Sequence, residues 1–450
     1  MKSKLIVVSI ALLAVVAFCS SSFAATENDI LRRLEKMEQE IKSLKAENSE
    51  LRETVQEEQI KVDTDRKSIT ELKKSAGKGD VNGMRAVLGK YDMQLYGRVK
   101  VDLNYDTAEF SRDLIGSVNP GDSKNDSTDF NPKDTRIGLK VKRRDGVWLS
   151  EARIEIDFYG KARYGDVGTN NLQPRMRLGY IKLTNDDWKA SLLVGQDWIP
   201  VASLNPPTIQ FGVLTESGNL WWRIPQITLR KQICNIELMI GAMKHRRQTS
   251  DEEDRMPWAV AKISYKDGIL GKGGLLALGG GYRNSEIGSS DTGGGPNANG
   301  LTNSVDRWLL ALEFKIKSGR FTFLAEPWIG NGLGNEFLRY GMDDNYDGDH
   351  GAARPDLILS RGGFAAIQYK ASQKVNLALG YGIDDPDADD MKGMALGSKQ
   401  YTKSETFFVN GWYNVTSAVK MGLEVMYLET ERWSDTDNGM RFTFSTCYDF

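Results

Sequence analysis

The last residues of the chain, Met440 to Phe450, read Met-Arg-Phe-Thr-Phe-Ser-Thr-Cys-Tyr-Asp-Phe. Met440, Phe442, Phe444, Tyr448 and Phe450 share one face at a period of two, and Arg441, Thr443, Ser445 and Asp449 share the other. A strand that is aromatic on one face and polar on the other, down to the terminal carboxylate, suits two different solvents. Hydrocarbon outside and water inside supply them, and only helices and closed barrels leave no unpaired backbone in a bilayer. Closure needs a partner. Between Asp92 and Tyr105 the odd positions Met93, Leu95, Val99, Val101, Leu103 and Tyr105 are apolar, and the even positions Gln94, Arg98, Lys100, Asp102 and Asn104 are polar. The two segments are expected to pair and close the sheet on itself.

Between these ends the alternation recurs, which sets the expected fold class: an all-β transmembrane β-barrel of sixteen antiparallel strands. The expected spans are 91 to 106, 135 to 143, 149 to 159, 174 to 184, 188 to 196, 223 to 231, 234 to 244, 257 to 266, 275 to 284, 305 to 316, 321 to 329, 361 to 370, 375 to 383, 404 to 413, 418 to 430 and 438 to 450. Connections after odd strands are mostly long and rich in Gly, Asn, Asp and Pro; those after even strands are short, such as Arg-Asp-Gly at 144 to 146 and Lys-Ser-Gly-Arg at 317 to 320. Outer-membrane barrels are threaded in this way, and an even count returns both chain ends to the periplasm. Two spans, 174 to 184 and 257 to 266, fit two registers equally well. A soluble β-sandwich would also alternate, but sixteen strands with a greasy band on nearly all of them favour the barrel.

The segment before the barrel obeys other rules. Leu5 to Phe18 is an apolar run preceded by Lys2 and Lys4 and followed by Ser-Ser-Phe-Ala-Ala, the order of a secretory signal at 1 to 24 with cleavage after Ala24. Residues 28 to 74 have no proline or glycine and carry a heptad seam, with Leu34, Ile41, Asn48, Val55, Val62 and Ile69 at a, and Met37, Leu44, Leu51, Glu58, Asp65 and Leu72 at d. Arg33 with Glu38, Glu40 with Lys45, and Glu47 with Arg52 are opposite charges at the g to e′ spacing of parallel strands. An N-terminal α-helical coiled coil, roughly 70 Å long at 1.5 Å per residue, is therefore expected in the periplasm. β-branched residues at a with Leu at d favour a dimer. A linker at 75 to 90, with a short apolar segment at 84 to 88, precedes a barrel at 91 to 450.

Composition excludes some functions. The chain is 40% apolar and 27% charged, ordinary for a soluble protein, but alternating strands average to such values as well. Loss of Lys2 and Lys4 with the signal moves 59 basic and 61 acidic residues to 57 and 61, a near-neutral balance that argues against nucleic acid as a partner. Cys19 falls in the signal, while Cys234 and Cys447 are expected on strands seven and sixteen, too far apart to bond. His245 and His350 are both expected in outer loops, and no nucleophile motif, Cys cluster or phosphate-cradling loop stands out. Neither an enzyme nor a cofactor is implied. Asp343, Asn345 and Asp347, followed by Gly348, match the front of a calcium loop, but Arg354 stands where its bidentate acid belongs. Asp384, Asp385, Asp387, Asp389 and Asp390 form a second acidic run, read either as bridging lipopolysaccharide through divalent cations or as simply hydrated.

Strand parity is more informative. Arg98, Lys100, Arg136, Lys140, Lys142, Arg153, Arg175 and Arg177 are expected to face the lumen of strands one to four, against Asp102, Glu151, Glu155 and Asp157. Such a wall would draw anions, unless the charges pair off into a ladder that merely keeps the pore wet. The third long connection runs from Asp197 and Trp198 through Pro206, Pro207, Phe211 and Glu216 to Trp221 and Trp222. Its prolines and aromatics suit a loop folded into the barrel as a constriction, with a subunit contact as the competing reading.

With signal, coiled coil and sixteen-strand barrel in that order, and Val194-Gly195-Gln196-Asp197-Trp198 leading through this loop to Arg223-Ile224-Pro225-Gln226-Ile227, the chain resembles the DcaP-like trimeric porins. The resemblance implies a homotrimer in the outer membrane of a Gram-negative bacterium, in contact with its lipid and lipopolysaccharide, passing small anionic solutes such as dicarboxylates. The rival reading is a structural protein tied through its coiled coil to peptidoglycan.

Overall fold

A computed structural model of the chain describes residues 32–33, 35–49, 51–52, 55–56, 59, 84–110, 117–119, 125–160, 172–246, 256–287, 303–334, 336–337, 344–345, 356–391 and 401–450. The chain divides into two units, Met1–Glu71 and Leu72–Phe450. In the first, all described residues are helical, and the seam residues Met37, Ile41, Leu44, Leu51 and Val55 are exposed. The signal at 1 to 24 and the seam positions Leu34, Glu58, Val62, Asp65, Ile69 and Leu72 lie outside the described residues.

The second unit is a closed antiparallel barrel of sixteen strands. They are β1 (Tyr91–Asp106), β2 in two in-line segments (Ser127–Asn131 and Arg136–Asp145), β3 (Trp148–Gly160), β4 (Gln173–Asn185), β5 (Ala190–Trp198), β6 (Arg223–Ile233), β7 (Ile236–Met243), β8 (Trp258–Lys266), β9 (Leu275–Ile287), β10 (Asn303–Ser318), β11 (Phe321–Asn331), β12 (Leu359–Lys370), β13 (Val375–Pro386), β14 (Lys403–Asn414), β15 (Val419–Glu431) and β16 (Thr436–Asp449). Each pairs with the next, and β16 returns to β1 in a register running from Arg98↔Asp449 to Asp106↔Arg441. The terminal residue completes the seam: Phe450 and Gly97 exchange backbone hydrogen bonds of 2.8 and 3.0 Å. Closure pairs β1 with β16 and so removes the long free edges that an open sheet would present.

Side chains sort across the wall as the alternation requires. On β1, Val99 and Val101 are exposed on the outer face, whereas Lys100, Asp102 and Asn104 are buried inside. Ile154, Ile181, Ile240 and Leu423 protrude likewise from the outer face, a continuous apolar surface that belongs in hydrocarbon. We read the barrel as membrane-spanning on this ground.

Four details depart from the sequence reading. Met84–Leu88 is a strand of its own, paired with the start of β1. β2 begins earlier than expected, because the segment 127–131 continues it beyond an irregularity at 132–135. Cys234 sits in the turn between β6 and β7, not on a strand, and both it and the buried Cys447 are free. The acidic run begins on a strand, because β13 extends past the expected 383 to Pro386: Asp384 is buried, Asp385 pairs outside with Arg361, and Asp387 and Asp390 accept backbone N–H bonds from Asp389 and Leu359.

Both ambiguous spans have physical explanations. β4 uses two registers, joined by a β-bulge opposite Glu155 and Ile156. Met176 lies outside, Arg177 and Leu178 are consecutive buried residues, and Ile181 is outside again. The extra residue lets Arg175, Arg177 and Tyr180 all reach inward. β8 keeps one register, but its inner face carries Trp258 and Val260. These belong to a lumen-side cluster with Ile199, Val201, Leu220, Leu309 and Trp328, so the interior is apolar where a connection packs against it.

Candidate functional site

That connection, residues 199–222 between β5 and β6, folds into the barrel. Its neck is closed by Ile199 N–H donating to Trp222 O at 3.0 Å. Ile199, Val201, Ala202, Leu204, Ile209, Phe211, Leu214, Leu220 and Trp221 are all buried, which excludes a subunit contact as their role. A polar backbone inside a barrel needs partners, because an unsatisfied buried N–H costs about 1–3 kcal/mol. Glutamates of the far wall supply them. Glu313 on β10 accepts from Ser203 N and Oγ at 2.8 and 2.6 Å, and Glu326 on β11 accepts from Leu204 N at 3.0 Å. Glu424 on β15 accepts from Ile209 N and Gln210 N at 2.7 and 2.8 Å. From the donor side, Lys100 Nζ reaches Ile209 O at 2.9 Å, Asn410 reaches Pro207 O at 2.8 Å, and Trp328 Nε1 reaches Gly218 O at 2.6 Å.

Two glycines let the backbones touch. Gly218 has φ +91°, and a Cβ there would lie 2.1 Å from Gly363 O of β12; a Cβ on Gly382 of β13 would lie 2.2 Å from Ser217 O. The loop therefore rests on the wall main chain to main chain.

The apex crosses to the opposite wall. Phe211 stacks on Tyr159 with ring centroids 4.4 Å apart and meets Trp221 edge-on at 5.7 Å. Four guanidinium groups surround its ring: Arg177 at 5.4 Å, Arg136 at 5.5 Å, Arg175 at 5.9 Å and Arg223 at 6.0 Å. Arg223 also lies over Trp198 and Trp221. Cation–π contacts at these distances hold like charges side by side that would otherwise repel.

Acids on the same wall complete the arrangement. Asp134 binds Arg98, Lys100 and Arg136; Glu155 binds Arg153 and Arg177; Asp157 binds Arg175 and Arg177. Glu151 lies within 3.4 Å of Lys140 and 3.6 Å of Lys142. Relative to the parity reading the structure adds Arg223 and Asp134, one charge of each sign, so the excess of basic over acidic groups in this set persists. Arg98, Arg136, Lys140, Arg153 and Arg175 keep 23% to 28% of their side-chain surface exposed. Lys100 and Arg177, expected beside them, are buried instead. Lys100 is held between Asp102, Asp134 and Ile209 O, and Arg177 between Glu155 and Asp157. They brace the wall from behind and do not line it.

Of the expected loop residues, Asp197 and Trp198 end β5, Glu216 is buried, and Trp198, Phe211, Trp221 and Trp222 pack together with Tyr159. Parity reasoning missed Asp134, Arg223 and the three glutamates. Glu326 did carry a signal, the one charge on β11, whereas Glu313 shares its inward face with Arg307 and Lys315, and Glu424 shares its own with Lys420. Asp343 and Asp347 lie outside the described residues, as does His350; the backbone of Asn345 belongs to a two-residue strand paired with Asp356–Leu357. Among the described residues, the one acidic group compact enough for a metal is Glu405, Glu429 and Glu431, and Lys403 already bonds two of them.

No protein-family model matches the chain, and no curated protein matches it. Solved structures do share its fold. The outer membrane channel DcaP of Acinetobacter baumannii aligns over 82% of this chain and 100% of its own, with a TM-score of 0.68 at 20% identity. An anion-selective porin from Comamonas acidovorans aligns over 80% and 100% at 11% identity, TM-score 0.54, and OmpF of Salmonella typhi over 82% and 100% at 12% identity, TM-score 0.51. The fold is that of the sixteen-stranded outer-membrane porins.

Proposed function

We propose that this chain is an outer-membrane porin of a Gram-negative bacterium, passing small hydrophilic and preferentially anionic solutes, dicarboxylates among them, by passive diffusion. The observation that carries this reading is the separation of charge across the lumen. Glutamates on the far wall are covered by the loop and bonded to its backbone, while Arg98, Arg136, Lys140, Arg153 and Arg175 of β1 to β4 remain partly exposed. Confined in a low-dielectric cylinder, that excess focuses a positive field and offers paired contacts to a carboxylate. The loop 199–222 acts as the constriction, and Arg98, Lys140, Arg153 and Arg175 form the selective wall with Arg136 beside its tip.

Reversal potentials across a planar bilayer under a salt gradient test the proposal. Anion preference at neutral pH that weakens in Arg98→Ala and Arg136→Ala supports it; cation preference untouched by either substitution refutes it.

A second reading rests on the exposed heptad seam: a rod tying the envelope to peptidoglycan with the barrel as anchor. A chain lacking residues 28–74 separates the two. The channel conducts without its rod, whereas a tether loses envelope cohesion.

A further inference from the structure

Four strand ends meet where the long connections leave the barrel. Arg175 lies near the start of β4, Gln196 near the end of β5, Arg223 to Pro225 open β6, and Lys244 to Arg246 follow β7. Between them is a cavity of about 260 Å³. Among the described residues its lining carries four cations, Arg175, Arg223, Lys244 and Arg246, together with His245 and Trp222, and no acid.

The neighbouring acids are already engaged. Asp157 binds Arg175 at 3.0 and 2.8 Å and Arg177 at 2.9 Å. Glu336 accepts the backbone N–H of Arg246 at 2.8 Å on one oxygen and Arg283 at 2.7 Å on the other. Arg223, in the lining, is left incomplete: it is 7% exposed, its Nη1 has no hydrogen-bond partner, and Asp157 comes no nearer to it than 3.9 Å. Stacking on Trp198 and Trp221 uses the faces of its guanidinium, whereas the N–H edge needs an acceptor in the plane. A buried charged donor without one costs free energy.

Charge and size narrow the class of ligand. A carboxylate brings one charge and two oxygens in a plane, which a single guanidinium satisfies edge to edge. Cations held on three separate segments suit a group with about two charges and acceptors pointing in several directions, as a phosphate has at neutral pH. The volume agrees, because about 260 Å³ falls below the roughly 300–1,000 Å³ of pockets that enclose drug-sized ligands. Burial, with Arg283 and Lys244 adding to it, pushes the His245 imidazole down to about 4. Its ring is therefore neutral at neutral pH and still offers one N–H donor.

We propose that this pocket binds a phosphate group, with Arg223 and Arg246 as its inner donors and Lys244 and Arg175 closing round it. The site shares Arg175 alone with the wall proposed to select anions, so it stands apart from that reading. Met176, Pro225 and Lys244 of the lining are exposed, Met176 on the outer face. The phosphate can thus belong to a lipopolysaccharide headgroup or to a free solute.

Calorimetric titration of the full chain, purified in detergent and stripped of lipopolysaccharide, with sodium phosphate at neutral pH and constant ionic strength tests this. Saturable binding at one phosphate per chain is expected, with acetate and chloride binding far more weakly. Arg223→Gln should weaken it about ten- to a hundredfold, the worth of a hydrogen bond to a charged group, and Lys244→Gln severalfold. Two further titrations assign the source. Displacement of phosphate by lipopolysaccharide, but not by its dephosphorylated form, gives the site to the lipid headgroup; indifference to both gives it to a solute. Absence of saturable phosphate binding, or acetate binding as tightly, overturns the proposal. So does binding unchanged in Lys244→Gln and Arg223→Gln with strand circular dichroism intact; Lys244 is exposed, so its variant keeps the test decisive if Arg223→Gln misfolds. Binding that appears only after Asp251→Asn, Glu252→Gln, Glu253→Gln and Asp254→Asn would hand the cations to the chain's own acids and overturn it as well.

Discussion

Removal of the Glu424 carboxylate gives the sharpest test of how the loop is held. Glu424 accepts two buried loop N–H groups, from Ile209 at 2.7 Å and Gln210 at 2.8 Å, and a third bond from Asn410 Nδ2 at 2.8 Å. Hydrogen bonds to a charged group contribute about 1.5–3 kcal/mol each, so the two loop bonds anchor the apex by about 3–6 kcal/mol. At about 1.4 kcal/mol per decade, Glu424→Ala raises the population of a released apex by about two to four orders of magnitude. The barrel itself should survive, because its strands pair independently of the loop. Single-channel recording in planar bilayers reads the outcome: a larger mean conductance with added flicker as Phe211 leaves its arginine cluster. Glu424→Gln keeps one acceptor oxygen and should fall between wild type and Ala. A Glu424→Ala channel with unchanged conductance and unchanged current noise, in a barrel whose strand circular dichroism is intact, would refute the argument that far-wall glutamates position the loop.

Other expectations follow from the same geometry. Gly382→Val places side-chain atoms where Ser217 O already stands, 2.2 Å from the added Cβ, so the loop must lift from β13 and single-channel conductance should change while strand circular dichroism stays intact. His245, just beyond β7, has its pKa pushed down to about 4 by burial, with Arg283 and Lys244 adding to it. The unfolded chain, with an ordinary imidazole near pH 6.5, then takes up the proton first; stability declines as pH falls from about 6.5 towards about 4, a slope that His245→Gln should flatten in denaturant titrations. Arg175→Ala removes a cation bonded to Asp157 at 2.8 Å and stacked near Tyr159 and Phe211; reversal potentials should move toward cation preference, and an unmoved value would show that this arginine is electrically silent.

Much of the molecule can be read before any coordinates. A period of two obliges residues 99, 101 and 103 to face one way and 98, 100 and 102 the other, so wall, lumen face and the β1–β16 seam all follow from pattern and parity. Alternating loop lengths carried the threading, and a proline- and aromatic-rich connection carried the inward loop. The method loses its grip where one face must meet an unusual neighbour. β8 looked ambiguous because Trp258 and Val260 serve as the loop's apolar bed, and β4 because a bulge turns Arg177 and Leu178 both inward.

Pattern along a strand thus decides which side of the wall a residue occupies, since pleating is a local property of the backbone. Whether an inward lysine touches solvent or stands sealed behind a loop depends on chain far away in sequence. Lys100 and Arg98 share a face and a charge, yet one is locked against Ile209 and the other keeps part of its side chain exposed. Only the packed tertiary structure could separate them, because burial is set by whatever arrives from across the barrel.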